Sequence, residues 1–258
     1  MRFLITSLTI TAWLSLGVVF GATLYTVTDL GSAVLPGNVD GGPTGVLPGG
    51  TWTSAYGGNS AGDYVGYGDI ANGDFRGFVW NAFSGFTMLG TLGGADSWGM
   101  AINVEGAVAG HSTIASGYVH AFEEENGQMF DLGTLGGQSS YAYGINDSGA
   151  VVGYSVMGDG SSHAFVVNGG GSMTDLNSLI ASNSGWLLTA AYGIDDQGRI
   201  TGTGVYNGAL QEFELDPVVS AGASFNAASI GPTVPEPGTL VVVGGALMLI
   251  GWAKRRKR

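Results

Sequence analysis

Cysteine is absent from this chain of 258 residues, which excludes disulfide staples, thiolate metal ligation and thiol catalysis. Basic residues are nearly as scarce. Of the eight, Arg2 stands at the N-terminus and Lys254, Arg255, Arg256, Lys257 and Arg258 end the chain, so only Arg76 and Arg199 lie between. Against twenty acidic residues, that stretch carries a formal charge of −18 and has no lysine. Such a surface repels nucleic acid and anionic lipid, and nucleic acid is excluded as a partner. Charged residues make up only 11% of the chain while glycine numbers 48, which is too few charges and too many turn formers for a helical protein. With 45% hydrophobic and 10% aromatic residues, the composition favours a packed all-β fold over disorder.

Histidine is also rare, and histidines are the usual catalytic and metal-binding groups. His120 and His163 occupy one repeat position and His111 stands where Tyr67 and Tyr154 stand, so all three read as structural. There is no Gly-x-Ser-x-Gly elbow, no phosphate loop with lysine and no paired-histidine zinc motif. Glu123-Glu124-Glu125 and Asp195-Asp196 are adjacent in sequence, whereas sugar hydrolases need two facing carboxylates. The oxygen-rich stretches Asp69 to Asp74 and Asp159-Gly160-Ser161 lack the alternating spacing of a calcium loop and read as turns. The expectation is a non-enzyme without cofactor or metal. Trp52, Trp80, Trp98 and Trp186 could stack sugars, with Trp80 expected in the core.

What is present begins with the two ends. Residues 1–22 have Arg2, an apolar run from Phe3 to Phe20, then Gly21 and Ala22. This is the layout of a signal peptide cleaved near Gly21 or Ala22; an uncleaved N-terminal anchor is the alternative. At the other end, Val234-Pro235-Glu236-Pro237-Gly238 precedes an apolar stretch from Thr239 to Ala253 and the basic cluster. Leu240, Val241, Val242, Val243, Leu247, Met248, Leu249 and Ile250 would make a helix there apolar on every face, so a transmembrane helix is expected. The terminal cations would hold that end on the cytoplasmic side, leaving the rest outside.

The middle is repetitive. Met88-Leu89-Gly90-Thr91-Leu92-Gly93-Gly94 recurs as Asp131-Leu132-Gly133-Thr134-Leu135-Gly136-Gly137 and, more weakly, at Asp175 to Leu179, with Thr28-Asp29-Leu30-Gly31 as a first copy. Each copy contains an Asn-or-Asp element ending in glycine, at Asn59 to Gly62, Asn103 to Gly106, Asn146 to Gly149 and Asp195 to Gly198. The spacings of 44, 43 and 49 residues fit four-stranded units. The element has the preference of a type I turn, joining strands such as Tyr141 to Ile145 and Ala150 to Ser155. Gly66, Gly110, Gly153 and Gly202 sit inside strands, where another backbone is expected to pass close by. An aromatic strand, seen in Gly77-Phe78-Val79-Trp80, His120-Ala121-Phe122 and His163-Ala164-Phe165, is read as the last element of a unit, with Glu212-Phe213-Glu214-Leu215 a fourth copy. Thr26 to Leu30 starts in mid-unit and Gln211 to Leu215 ends unpaired, so in a closed ring the last strand should complete the first unit. The expected fold class is an all-β array of about four four-stranded units over residues 23–219, closing into a small β-propeller; a partly open stack or an irregular sandwich are the alternatives. Residues 220–233, rich in Ala and Gly, read as a flexible linker before the tail at 234–258.

Two resemblances add to this. The tail resembles the PEP-CTERM sorting signal of Gram-negative bacteria, which implies that Pro235, Glu236 and Pro237 are read by an exosortase and that the segment after them is removed. An envelope, cell-surface or exopolysaccharide-matrix location is implied with it. The units resemble the HAF-type extracellular repeat. Residues 119–155 match nearly every element, and residues 76–112 match with Arg76-Gly77-Phe78 in place of His-Ala-Phe. The combined expectation is an exported, non-catalytic envelope or matrix repeat protein. A carbohydrate-binding module for exopolysaccharide is the alternative, and a matrix polysaccharide hydrolase is a weaker one.

Overall fold

A computed structural model describes residues 24–32, 43, 45–218, 240–241 and 249–250. The chain divides after Pro217 into two units. The first begins with β1 (Leu24–Ser32) and then forms four short-stranded sheets. The first sheet comprises β2 (Thr53–Gly58), β3 (Tyr64–Asp69), β4 (Phe75–Asn81) and β5 (Gly85–Met88). In the second are β6 (Gly93–Ile102), β7 (Val108–Ile114), β8 (Val119–Glu125) and β9 (Gln128–Asp131). The third holds β10 (Ser140–Ile145), β11 (Val151–Val156), β12 (Ser162–Val167) and β13 (Thr174–Asp175). The fourth holds β14 (Trp186–Ile194), β15 (Ile200–Tyr206) and β16 (Ala209–Val218), with β1 paired outside β16. The N-terminal and last strands do pair, with the N-terminal strand as the outer strand of the fourth sheet.

The aromatic strand is the third of its sheet, not the last. A fourth strand as short as Gln128–Asp131 leaves no readable alternation, and it hangs on the hairpin whose Asn126 and Gly127 both take positive φ. That fourth strand, or its end, carries the Asp of the Asp-Leu-Gly motif, and the rest of the motif crosses to the next sheet.

The Asn-or-Asp element folds as the composition dictates. In the second copy, Asn103 Oδ1 accepts from Glu105 N at 3.1 Å and Ala107 N at 2.9 Å, while Gly106 takes φ +85°. An Asn side chain supplies these acceptors locally, and glycine occupies the left-handed region without a Cβ penalty. In the strand that follows, a Cβ on Gly153 would lie 1.9 Å from Tyr141 O. The equivalent distances at Gly66, Gly110 and Gly202 are 2.0, 2.1 and 2.1 Å, so close backbone approach demands glycine in all four copies. The facing first strand is bulged at the same place each time, between Ala55 and Gly57, Gly99 and Ala101, Ala142 and Gly144, and Ala191 and Gly193.

Successive sheets pack face to face through separate cores. Val65 and Leu89 of the first sheet meet Ile102, Val108 and Phe122 of the second. Ala109 and Ala121 meet Ile145, Val151 and Phe165 of the third. Val152, Ala164 and Val166 meet Leu188, Ile200, Phe213 and Leu215 of the fourth, with Tyr25 of β1. Phe78, Phe122, Phe165 and Phe213 are fully buried at one repeat position. Trp80, expected in the core, is instead half-buried near the end of β4, tilted against Tyr64 at 5.9 Å.

The second unit, residues 218–258, is described by β17 (Leu240–Val241) and β18 (Leu249–Ile250), which pair with each other. The remainder of the expected transmembrane helix, the signal peptide and the linker lie outside the described residues. Among those described, no helix is long and apolar enough to cross a membrane.

Candidate functional site

Three groupings of side chains could carry function. The first is a ladder of Asn side chains running across the sheets. Asn59 Nδ2 donates to Asn103 O at 2.9 Å, Asn103 Nδ2 to Asn146 O at 3.1 Å, and Asn146 Nδ2 to Asp195 O at 2.9 Å. Val104 N donates to Asp147 Oδ1 and Asp147 N to Asp196 Oδ1, a second rail beside the first. Each Asn thus uses its oxygen within its own turn and its amide hydrogen on the next. Sheet joints are bonded elsewhere too, by Gly77 N to Ser97 Oγ, Ala121 N to Ser140 Oγ, and Leu188 N to Asn177 Oδ1.

The second is a ribbon of half-buried rings over all four sheets. Trp52 and Phe75 lie beside Tyr67. The ribbon then crosses sheet boundaries at Tyr67 to Trp98 (6.3 Å), His111 to Tyr141 (5.1 Å) and Tyr143 to Tyr192 (5.5 Å). The bulges place the extra residues Tyr56, Tyr143 and Tyr192 in it, so that Tyr141 and Tyr143 both stack on Tyr154. Burial raises the Tyr67 phenol to about 12, helped by Tyr56, and raises Tyr143 and Tyr154 as well. The His111 imidazole is pushed down to about 4 by burial, against a hydrogen bond with the Ala142 backbone. Its Nδ1 is the one buried side-chain polar atom without a partner among the described residues. Rings packed on one another at these distances serve cohesion; Trp98, a candidate sugar platform from sequence, stacks on His111 at 5.1 Å.

The third is a cleft of about 570 Å³ between the second and third sheets, lined by Glu105, Glu123, Glu125, Asp131 and Asp147 together with Phe130, which is 42% exposed. Burial raises the Glu123 carboxyl, and the Glu125 charge raises it further. Separated in sequence, these carboxylates are gathered by the stacking of turns, which no linear pattern displays.

His120 Nδ1 lies 2.9 Å from Asp131, and His163 Nδ1 lies 2.7 Å from Asp175. The His of one motif thus bonds the Asp of the other, in the repeat-set role expected of it. A signal for this pairing existed, because the first copy has Arg76 and Met88 and so lacks both partners together. Asp69 accepts from Thr51 N, Thr51 Oγ1 and Trp52 N, and Asp159 accepts from Ser161 N and Oγ, so both oxygen-rich stretches are bonded turns. Among the described residues no His, Asp or Glu cluster converges to hold a metal. Pro235, Glu236, Pro237, Lys254, Arg255, Arg256, Lys257 and Arg258 lie outside the described residues.

The first unit is thus an all-β protein of the repeat class, four sheets joined by recurring polar and aromatic contacts. No known protein family matches the chain, and no curated protein is detectably similar to it.

Proposed function

We propose that this is an exported, non-catalytic repeat protein of the bacterial envelope or exopolysaccharide matrix, delivered through a PEP-CTERM-like tail read by an exosortase and carrying HAF-like units. The observation that supports a scaffold is the allocation of side chains. The Asn amides, the motif histidines and most large rings are spent on bonds between or within sheets. A module so committed is rigid and persistent, which suits a matrix component. The test is fractionation in an exosortase-bearing Gram-negative host. Wild type should reach the surface or medium, and Pro235→Ala with Glu236→Ala should accumulate at the inner membrane. Recovery of wild type from the cytosol, or normal surface delivery of the variant, would defeat the proposal.

A second reading, recognition of the organism's own exopolysaccharide, is favoured by the cleft. Its carboxylates can accept sugar hydroxyls while exposed Phe130 offers an apolar face. Calorimetric titration with matrix oligosaccharides should show binding that Phe130→Ala and Glu123→Gln weaken together. Release of new reducing ends would mark a hydrolase instead.

A further inference from the structure

The carboxylate cleft has a counterpart one repeat further along. Its walls are two stacked turns, Asn103, Glu105 and Ala107 from the second sheet against Asp147, Ser148 and Gly149 from the third. A cleft of about 260 Å³ between the third and fourth sheets is built from the equivalent positions, Asn146, Ser148 and Ala150 against Asp196, Gln197 and Gly198. The ladder sets these turns one above another, through Asn103 Nδ2 on Asn146 O and Asn146 Nδ2 on Asp195 O. Exposed Ser148 lines both clefts, so the two adjoin across its turn and follow the direction in which the sheets stack.

The two clefts are not lined alike. Glu105 is replaced by Ser148 and Glu125 by Asn168, in the register that sets Phe122 and Phe165 at one position, while Asp147 is kept as Asp196. The first cleft therefore gathers Glu105, Glu123 and Glu125 beside Phe130, and the second offers mostly hydroxyl and amide groups. No lysine or arginine among the described residues lines either one, and Arg199 at the fourth turn is held by Asp195, Nε to Oδ2 at 2.7 Å. Burial and the Glu125 charge raise the Glu123 carboxyl, so a cation from outside would be favoured beside it. An acidic polysaccharide is repelled by such walls. A cationic peptide would need carboxylates along its whole length and finds them concentrated in one cleft. A chain of sugars with amino groups meets all three features: ammonium for the carboxylates, hydroxyls for Ser148, Asn168 and Gln197, and a ring face for Phe130.

We propose that these adjoining clefts form one extended site for a linear polysaccharide with free amino groups, its charged sugars in the first cleft and the sugars that follow in the second. The site so defined presumes the glycan reading of the first cleft and adds to it the length and the charge of the ligand. Two subsites that a single chain fills together gain affinity from the linkage itself, with no new contact at either.

Calorimetric titration of the full chain in detergent near pH 6, with chitosan oligomers of increasing length, tests this. Affinity should rise at least about tenfold from the disaccharide to an oligomer that spans both clefts, and should fall with added salt. Asn168→Ala combined with Gln197→Ala, two exposed side chains, should cancel that rise and leave disaccharide binding unchanged. Equal affinity for short and long chitosan, or a length dependence that survives the double variant, overturns the extended site. N-acetylated oligomers or lysine oligomers that bind as tightly as chitosan of equal length overturn the amino-sugar assignment. If no chitosan oligomer binds while neutral matrix oligosaccharides do, the amino-sugar site is overturned and the glycan reading of the first cleft stands; if neither binds, both fall.

Discussion

Asn103→Ala is the sharpest probe of how the sheets are joined. Asn103 is 4% exposed, and the substitution removes two bonds inside its turn and one to Asn146 O. Glu105 N can turn to water, but Ala107 N loses its partner in a dry environment, while Asn146 O gives up the Asn103 bond and keeps only Gly149 N. One buried group left unpaired costs about 1–3 kcal/mol and the lost bond to Asn146 O about 1 kcal/mol more, so the expected loss is about 2–4 kcal/mol. For a unit of this size, about 1 kcal/mol moves the midpoint by about 2–4 °C, so melting should fall by about 10 °C. Asn103→Asp separates the two roles. It keeps both acceptors but replaces the donor with a carboxylate facing Asn146 O, so it should lose about 2 kcal/mol at pH 7 and recover part of that on acidification, when the protonated carboxyl can donate. Urea unfolding followed by tryptophan fluorescence measures both. An Asn103→Ala loss below about 1 kcal/mol, or an Asn103→Asp variant as stable as wild type at pH 7, would refute the ladder as a cohesive element.

Three further outcomes are expected. Gly153→Ala places a methyl 1.9 Å from Tyr141 O, so the strand pair must open; a loss of at least about 3 kcal/mol in urea unfolding is expected, with loss of less than about 1 kcal/mol refuting the close approach. Phe213→Ala empties the most aromatic part of the last core and should cost about 3–5 kcal/mol by the same assay. His111 is held near 4 when folded against 6.5 unfolded, so the unfolded chain binds the extra proton between those values. Stability therefore falls as pH drops from about 6.5 to 4, by about 3 kcal/mol from this group. His111→Tyr, which matches Tyr67 and Tyr154, should remove that part of the pH dependence, and an unchanged slope between the two proteins would contradict it.

Much of the repeat unit is legible in the residues because its determinants are local. An Asn followed three residues later by glycine specifies a turn through bonds within five residues, and Gly153 marks a backbone crossing by its missing side chain. The four-residue fourth strand was not legible, since pairing across one hairpin, and not periodicity, makes it a strand. Nor was the fate of Trp80 or Trp98, because an aromatic residue in a short strand reads the same whether it faces a core, a neighbouring ring or solvent. The carboxylate cleft stayed hidden for a related reason: Glu105, Glu123 and Asp147 come from three different turns and strands.

The sequence by itself determined the number of repeats, their turns, their obligatory glycines and the all-β class, because each depends on the conformational limits of a few adjacent residues. Only the tertiary structure decided what the repeats do to one another. Whether an Asn amide reaches the next turn and which rings meet across a joint are set by distances between residues of different repeats. Stacking fixes those distances, and no local preference encodes them.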